Sequence, residues 1–429
     1  RGGGGVHVGR QHSGSRAHLQ VEGVAVLTHE DAVMRTLAAL VEQTEPPAER
    51  RHDPHEALHD LHELAAAVQA VSQGYTRDRQ AIDQTATGEA AYRARRRFYL
   101  PRDGAKVVKP LVELQRAGAL PLRPRLRVLD LGAGLGSTSL GAAATLARFH
   151  ESPVRELVVD AVERDPGALR HFARIAAGCE AAGLPRVTVR PLAVDLRKHV
   201  AEGPYDLILA GLVLNELLAE APEHAALRLA GLVAQLAPGG SVIVLEPALR
   251  EPTRALHQTR DALRAHAGVA LFGPCVHHAA CPMLANAKDW CHEDVAATLP
   301  DSMARVAREA GLRFERLTYA YLTLRRANDG VANVAALLPA GDDVGLPHRV
   351  VSQTLASKGK REWFACGAEG RVRVTRLDRH ESAVNAGFGA AQRGDVVRLP
   401  VLAPGVHDAR VKADTDVPGW FYGLITNEP

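Results

Sequence analysis

Short apolar runs alternate with amphipathic segments through the middle of the chain. The apolar, β-branched runs lie at 126–131, 157–162, 187–192, 205–210 and 241–246. Continuous apolar runs of this length are typical of strands buried on both faces, and the helix-compatible segments between them have the spacing of βαβ units. The pattern predicts an α/β fold with a doubly wound parallel sheet over residues 121–330.

Three other regions flank this core. Residues 1–50 are rich in Gly, His, Ser and Arg and are predicted to be flexible, whereas residues 51–120 have a helical period. From 345 to 429, short strands alternate with glycine turns. This pattern predicts a small, basic C-terminal domain that resembles a β-barrel of the oligonucleotide-binding (OB) type.

The first apolar run of the core ends in a glycine-rich turn. Asp130 closes the run, Gly132, Gly134 and Gly136 follow it, and a helix-compatible segment comes next. A strand, a glycine turn and a helix start let a ligand approach backbone N–H groups at the helix N-terminus. The second run ends at Glu163, where a carboxylate would accept hydrogen bonds from ribose hydroxyls. These residues predict a cofactor site of the nucleotide type.

A Cys-rich insert at 271–296 follows the fifth strand. It contains Cys275, Cys281 and Cys291 beside Pro and His residues, and Cys366 lies far downstream. Thiolates are ligands that iron and zinc prefer, and four of them complete a site. The alternative is that these cysteines are small buried hydrophobic residues.

Composition limits the class of protein. With 429 residues, of which 46% are hydrophobic, the chain is long enough for two or three globular domains. Its apolar runs are far shorter than the ~20 residues of a membrane span. Five cysteines in a chain of this size are typical of a reduced compartment, and the sequence near Arg1 lacks the pattern of a secretory signal. We therefore expect a cytoplasmic protein with no membrane partner.

Two basic regions indicate a nucleic-acid partner. Five arginines between 93 and 102 are interleaved with aromatic residues, and the tail carries a basic stripe at 358–379. Such clusters suit phosphate contacts and base stacking. The alternative is a set of solvated charges on a helix face and a sheet edge. The net charge of +3 does not separate these interpretations.

One motif points to a different class of enzyme. His55-Glu56-Ala57-Leu58-His59 matches the zinc-protease helix motif, which places both histidines on one helix face. No glycine and third histidine follow at metzincin spacing, and a complete domain lies downstream. A solvated, His-rich helix face is the better interpretation, and a zinc protease is the most distant alternative.

The core resembles a class I S-adenosylmethionine-dependent methyltransferase. DLGAGLG at 130–136 matches the first motif of such enzymes and LAPGGSVIVLEP at 236–247 the fifth, whereas a dehydrogenase would favour G-x-G-x-x-G. The resemblance implies that S-adenosylmethionine binds at the glycine turn. Glu163 would hold the ribose, and Asp195 would lie near the adenine.

The motifs together resemble the small-ribosomal-subunit methyltransferase-like family, which comprises mitochondrial ribosome-assembly proteins and bacterial relatives. The matching stretches are AYRARRRFYLP, VLDLGAGLGS, YDLILAGLVLNEL, CVHHAACPM, WCHED and K-x-K-R-x-W-F-x-C-G. This resemblance implies a [4Fe–4S] cluster on Cys275, Cys281, Cys291 and Cys366, with zinc as the alternative. It also implies that the partner is ribosomal RNA (rRNA) of the small subunit, and we expect a monomer.

The turn after the fourth strand does not identify which reaction the protein would catalyse. Adenine-type methyltransferases carry an Asn/Asp-Pro-Pro-aromatic motif there, but this chain reads AGLVLNE at 210–216. Asn215 and Glu216 are the polar residues best placed to face a substrate; alternatively, Asn215 caps the following helix. Two hypotheses therefore stand, a small-subunit rRNA methyltransferase and a non-catalytic Fe–S assembly factor with a methyltransferase fold.

Overall fold

The core of the protein, in a computed structural model, is an eight-stranded and mostly parallel sheet. Strands β1 to β5 are Arg125–Leu131, Glu156–Val162, Arg186–Leu192, Tyr205–Gly211 and Leu236–Pro247. Strands β6 to β8 are Val269–Gly273, Glu293–Ala296 and Arg316–Arg326. The structure describes residues 27–45, 54–77, 88–198, 202–214, 221–331, 333–339, 345–402 and 406–423.

The strand order is β3-β2-β1-β4-β5-β8-β6, and β7 pairs with β8. Strands β1 to β5 run parallel, whereas β8 is antiparallel to both β5 and β6. The order reverses between β1 and β4, which creates a crevice at the carboxyl ends of these strands. The predicted doubly wound sheet of the class I methyltransferase type is confirmed. Strand β8 is a single strand of 11 residues at the end of the core.

Helices cover both faces of this sheet. Helices α1 to α11 are His29–Thr44, Pro54–Arg77, Glu89–Ala94, Leu100–Gly104, Val108–Arg116, Ser137–Leu146, Pro166–Ala176, Pro222–Ala234, Arg250–Leu263, Asp301–Glu309 and Ala386–Ala390. A π-helical turn, Arg95–Tyr99, joins α3 to α4. Within the described part of the chain, no helix combines the length and the apolar character needed to cross a membrane.

Alternate residues of the central strands enter two separate cores. In β4, Leu207 and Leu209 pack on one face, while Ile208 and Ala210 pack on the other. Helices α1, α5, α6 and α7 contribute to the first core, and α8 and α9 contribute to the second. Burial on both faces is the physical reason for the continuous apolar runs in the sequence.

Helix α1 lies inside the segment that the sequence analysis predicted to be flexible. Its residues Val33, Met34, Leu37 and Leu40 are 0% exposed. A capping box formed by Thr28 and Asp31 begins the helix. Apolar residues at this spacing form one helix face, so the helix could have been predicted from the sequence. The Gly- and His-rich residues before it led to the prediction of a flexible segment instead. The domain boundaries themselves stay predictions.

The C-terminal residues form a second sheet. Strands β9 to β15 are Leu346–Val350, Leu355–Ser357, Lys360–Gly367, Gly370–Leu377, Val396–Leu399, Asp408–Val411 and Gly419–Trp420. Their order is β14-β12-β11-β9-β13-β15, and β10 pairs with β11. The predicted β-rich C-terminal region is confirmed. Closure into an OB-type barrel stays a prediction, since the described residues show no ladder between β14 and β15.

Candidate functional site

The turn between β1 and α6 lies at the crevice of the sheet. Gly132, Gly134 and Gly136 have φ angles of 68°, 52° and 84°, which residues with a Cβ rarely adopt. A Cβ on Gly132 would lie 2.4 Å from Cγ2 of Val213, and one on Gly136 would lie 2.1 Å from the ring of Phe172. The glycines therefore let the turn pack between the loop after β4 and helix α7.

Glu163 connects this turn to the loop after β2. One carboxylate oxygen accepts a hydrogen bond from the N–H of Gly134, and the other accepts one from the N–H of Asp165, each at 3.0 Å. A carboxylate offers about four lone-pair sites, so two remain for ribose hydroxyls. The structure brings Glu163 and the glycine turn together, and the contact with ribose stays a prediction.

Asp130 is enclosed between β1 and α6. It is 1% exposed, and its Oδ2 accepts a hydrogen bond of 2.6 Å from the Ser139 hydroxyl. Burial raises the pKa of Asp130 to about 7, although hydrogen bonds from Ser139 oppose this rise. The observed contact fixes the end of β1 to α6, and the predicted contact of Asp130 with the cofactor stays a prediction.

We expect Asp130→Asn to reduce the pH dependence of folding stability. Folding raises the pKa of this carboxyl from 3.8 to about 7, so the parent protein loses stability as the pH rises through this window. Asparagine does not ionise, and the variant should avoid a loss of roughly 2–4 kcal/mol at neutral pH and above. Urea unfolding at about pH 4 and about pH 8 measures this, with the exposed Asp301→Asn as the control. Equal pH dependence in parent and variant would contradict it.

Asp195 follows β3 at the same edge of the sheet. Its carboxylate accepts hydrogen bonds from Nη2 of Arg197 at 2.7 Å and from the N–H of Arg197 at 2.9 Å, and these bonds lower its pKa. The carboxylate thereby caps the 3₁₀ turn Leu196–Lys198, and its contact with adenine stays a prediction. Asn215 and Glu216 lie outside the described residues, so their catalytic roles stay predictions too.

Four cysteines that are distant in sequence line one cavity. Cys275, Cys281 and Cys291 come from the segment between β6 and β7, and Cys366 comes from β11. The cavity has about 640 Å³ of free space, including its mouth. Among the described residues, no group of three or more His, Cys, Asp or Glu side chains has the geometry to hold a metal ion. The structure thus brings the four cysteines together, and their role as ligands stays a prediction.

The cavity is a poor environment for uncompensated thiolates. Burial raises the pKa of Cys281 to about 11, and the neighbouring Cys275 raises it further. Burial also raises the pKa of Cys366 well above its usual range. Burial lowers the pKa of His277 to about 4, and Nε2 of this histidine lies 3.6 Å from Sγ of Cys366. Four thiolates here require a cationic partner, and this donor chemistry fits an iron–sulfur cluster or zinc.

Helix α9 supports the backbone of the Cys-rich insert. Nη1 of Arg254 donates to three carbonyls between 283 and 289, at 2.7–3.1 Å. Arg260 donates to two carbonyls of the same insert, and Asp261 accepts from the N–H of Cys281 at 2.9 Å. None of these three residues was predicted from the sequence. The sequence feature that could have revealed them is a set of polar residues on one face of the amphipathic helix just before the insert.

A buried ion network connects the core, the insert and the tail. Arg349 on β9 donates to Glu113 on α5 at 2.8 Å and to Glu293 on β7 at 2.9 Å. Lys109 also pairs with Glu293, at 2.7 Å, and the Tyr321 hydroxyl donates to Glu113 at 2.6 Å. Burial would lower the pKa of Arg349, but the surrounding carboxylates hold it well above its usual value. The network was not predicted from the sequence, since its members lie in four separate elements.

The arginine cluster at 93–102 has a structural role in part. Arg93, Arg96 and Arg97 form ion pairs with carboxylates at or beside α1, α2 and α3. Arg96 is only 1% exposed. These three arginines therefore stabilise the helical region, instead of presenting their charge to a phosphate backbone as one of the two interpretations supposed.

The basic stripe of the tail divides between two faces of β12. Arg371 and Arg373 are exposed and flank the ring of Phe364, with their guanidinium carbons 5.2 and 5.5 Å from its centre. Arg376 is 1% exposed and lies over the ring of Phe388. Side chains an odd number of positions apart on a strand point to opposite faces, so Arg376 faces the interior, contrary to the prediction.

The His-rich face of helix α2 is exposed to solvent at His59, as predicted for a solvated helix face. His59 is exposed, and its Nδ1 lies 3.5 Å from Glu63. The side chain of His55 lies outside the described part of the chain.

Three solved structures show weak similarity to this chain. TYW2 from P. horikoshii, in complex with MeSAdo, is 14% identical and aligns over 50% of this chain and 61% of that chain, with a TM-score of 0.27. The mitomycin 7-O-methyltransferase MmcR is 19% identical over 60% of this chain and 61% of its own, with a TM-score of 0.28. A methyltransferase from Pyrococcus furiosus is 15% identical over 51% and 81%, with a TM-score of 0.29. The chain thus spans about three fifths of the first two structures. No curated protein matches the chain.

A family model also matches the chain. Its description is "Mitochondrial small ribosomal subunit Rsm22", and it matches residues 119–395. This span includes the glycine turn, the Cys-rich insert and Cys366. The match covers well over half of the 429 residues, and the predicted resemblance to a small-ribosomal-subunit family is confirmed. This chain belongs to the Rsm22 family of the mitochondrial small ribosomal subunit.

Proposed function

We propose that this protein is an S-adenosylmethionine-dependent methyltransferase that acts on small-subunit rRNA during ribosome assembly. The observation that carries the proposal is the glycine turn joined to Glu163 at the crevice of a class I methyltransferase sheet. Membership of the Rsm22 family supports the small ribosomal subunit as the partner. The exposed Arg371 and Arg373 of the tail support RNA as the component that is contacted.

S-adenosylmethionine would supply the methyl group when bound. The glycine turn would approach its methionine end, Glu163 would hold the ribose, and Asp195 would lie near the adenine. Asn215 and Glu216 would face the substrate from the turn after β4. Because the chain lacks an Asn/Asp-Pro-Pro-aromatic motif at that turn, we expect methyl transfer to require an assembling subunit instead of naked RNA.

We infer that Cys275, Cys281, Cys291 and Cys366 hold a [4Fe–4S] cluster. Their shared cavity and their buried thiols support this inference. Since Cys366 belongs to the tail and the other three to the insert, the cluster would join two regions of the chain and add to folding stability. Zinc is the alternative, because four thiolates suit it as well.

The protein is proposed to act as a monomer. Its five cysteines are all free, which suits a reducing compartment. We keep the cytoplasm as the proposed location, while the description of the family names the mitochondrial small subunit.

Calorimetric titration should show that the parent binds S-adenosylmethionine and that Glu163→Ala binds it roughly 5- to 150-fold more weakly. Removing the carboxylate leaves ribose hydroxyls unpaired and also frees the Gly134 N–H. The matched control is Glu180→Ala. Glu180 is exposed, pairs with Arg186 and lies before β3, at the opposite edge of the sheet. Equal affinity of the parent and Glu163→Ala for S-adenosylmethionine would contradict the assignment of Glu163 to the ribose.

The same proteins, incubated with labelled cofactor, test the reaction. We expect label in the rRNA of small-subunit precursors with the parent and much less with Glu163→Ala. Binding of the cofactor without any transfer to precursors would favour the non-catalytic assembly factor. Robust transfer to a short naked RNA would contradict the requirement for an assembling subunit.

A further inference from the structure

The N-terminal helical region reaches the cofactor crevice through Arg95. This residue begins the π-helical turn between α3 and α4, and its Nη2 lies 3.0 Å from the position that a Cβ would occupy on Gly134. Gly134 is the middle glycine of the turn after β1. The guanidinium therefore lies against the part of the turn that the methionine end of the cofactor would approach.

The segment before Arg95 is fixed to the other side of the crevice. One helical turn earlier, the hydroxyl of Tyr92 donates to the carboxylate of Asp165 at 2.7 Å. Asp165 caps helix α7 just after Glu163. Ala94 is completely buried. Because its backbone is held in this way, Arg95 loses less conformational freedom when it binds a ligand.

Consecutive arginines at the π-helical turn serve different purposes, because successive residues of a helix point in directions about 100° apart. Arg96 pairs with Glu89, and Arg97 pairs with Glu45, whereas Arg95 lies at the glycine turn. Single π-helical turns within α-helices are frequent at functional sites.

We propose that Arg95 binds the carboxylate of the methionine moiety of S-adenosylmethionine, an assignment that rests on the proposed function. A planar guanidinium can donate two parallel hydrogen bonds to a carboxylate. The N-terminus of α6 follows the same glycine turn, and its helix dipole adds to the positive potential there. Glu163 accepts a hydrogen bond from Gly134 itself. Arg95 and Glu163 would then recognise the amino-acid end and the ribose of one ligand.

Two ligands that differ at the carboxylate test this assignment. S-adenosylhomocysteine carries the amino-acid carboxylate, whereas 5′-methylthioadenosine has the same adenosine and thioether but no amino-acid end. Calorimetric titration of both compounds compares the parent with Arg95→Gln, Arg95→Lys and Arg170→Gln. Arg170 is an exposed arginine on α7 near the same crevice, so its variant controls for a general loss of positive charge.

Arg95→Gln should bind S-adenosylhomocysteine about 10- to 100-fold more weakly and 5′-methylthioadenosine within about twofold of the parent. Arg95→Lys should recover part of the loss, and Arg170→Gln should resemble the parent with both ligands. Equal weakening of both ligands by Arg95→Gln, or no weakening of either, would overturn the assignment. If the parent binds neither compound, the proposed function itself fails, and this assignment fails with it.

Discussion

Replacing Arg349 by methionine is expected to lower the free energy of unfolding by roughly 3–5 kcal/mol. The side chain is 3% exposed and donates to Glu113 and Glu293. Without it, Glu113 keeps the Tyr321 hydroxyl as a partner but loses its cation, while Glu293 keeps Lys109. A buried carboxylate that loses its cation bears a desolvation cost that nothing offsets. Methionine has a similar volume, so little of the effect should come from a cavity.

The comparison variant is Arg373→Met on β12. Arg373 is exposed and lies 3.8 Å from Asp408, which is also exposed, and exposed pairs of this kind contribute about 0–1 kcal/mol. Urea unfolding followed by tryptophan fluorescence suits both variants, because the three tryptophans of the chain lie in the insert and the tail, at 290, 363 and 420. An Arg349→Met protein as stable as Arg373→Met would show that the network contributes little to stability.

Cys366→Ser is expected to remove the proposed cluster and to increase the mobility of the tail. Serine is nearly isosteric with cysteine but is a poor ligand for iron, so the anaerobically purified variant should lose its visible absorption and its bound iron. Metal binding of this type contributes folding free energy. Amide hydrogens of β9 and β11 should therefore exchange roughly 10- to 1,000-fold faster than in the parent, whereas those of β1 and β4 should change little.

Cys179→Ser is the matched control, because Cys179 is buried in the main core, away from the cavity. It should keep the iron content of the parent. Full iron content in Cys366→Ser would remove Cys366 from the ligand set, and a colourless parent with stoichiometric zinc would decide against iron. Since the Arg349 network contains no cysteine, we expect the tail to stay attached to the core when the cluster is lost.

The sequence predicted those parts of the protein that depend on local patterns. The parallel strands were readable because burial on both faces requires continuous apolar runs. The glycine turn was readable because positive φ angles and a close approach to Phe172 exclude other residues at Gly136. The four cysteines were recognisable as a set because the chain has only five, with three of them beside Pro and His residues. In each case the physical requirement acts on a few neighbouring residues and so leaves a local signature.

Only the tertiary structure decided which charged residues meet. Nothing near Arg349 in the sequence distinguishes it from Arg371 or Arg373, yet Arg349 is buried against carboxylates 236 and 56 residues away. Arg95 and Arg96 are adjacent, yet one lies at the glycine turn and the other pairs with Glu89. The reason is that a charged side chain can serve equally well in solvent, in an ion pair or in a binding site. The packing of distant elements determines its surroundings, whereas strands, glycine turns and apolar faces are fixed by the sequence that forms them.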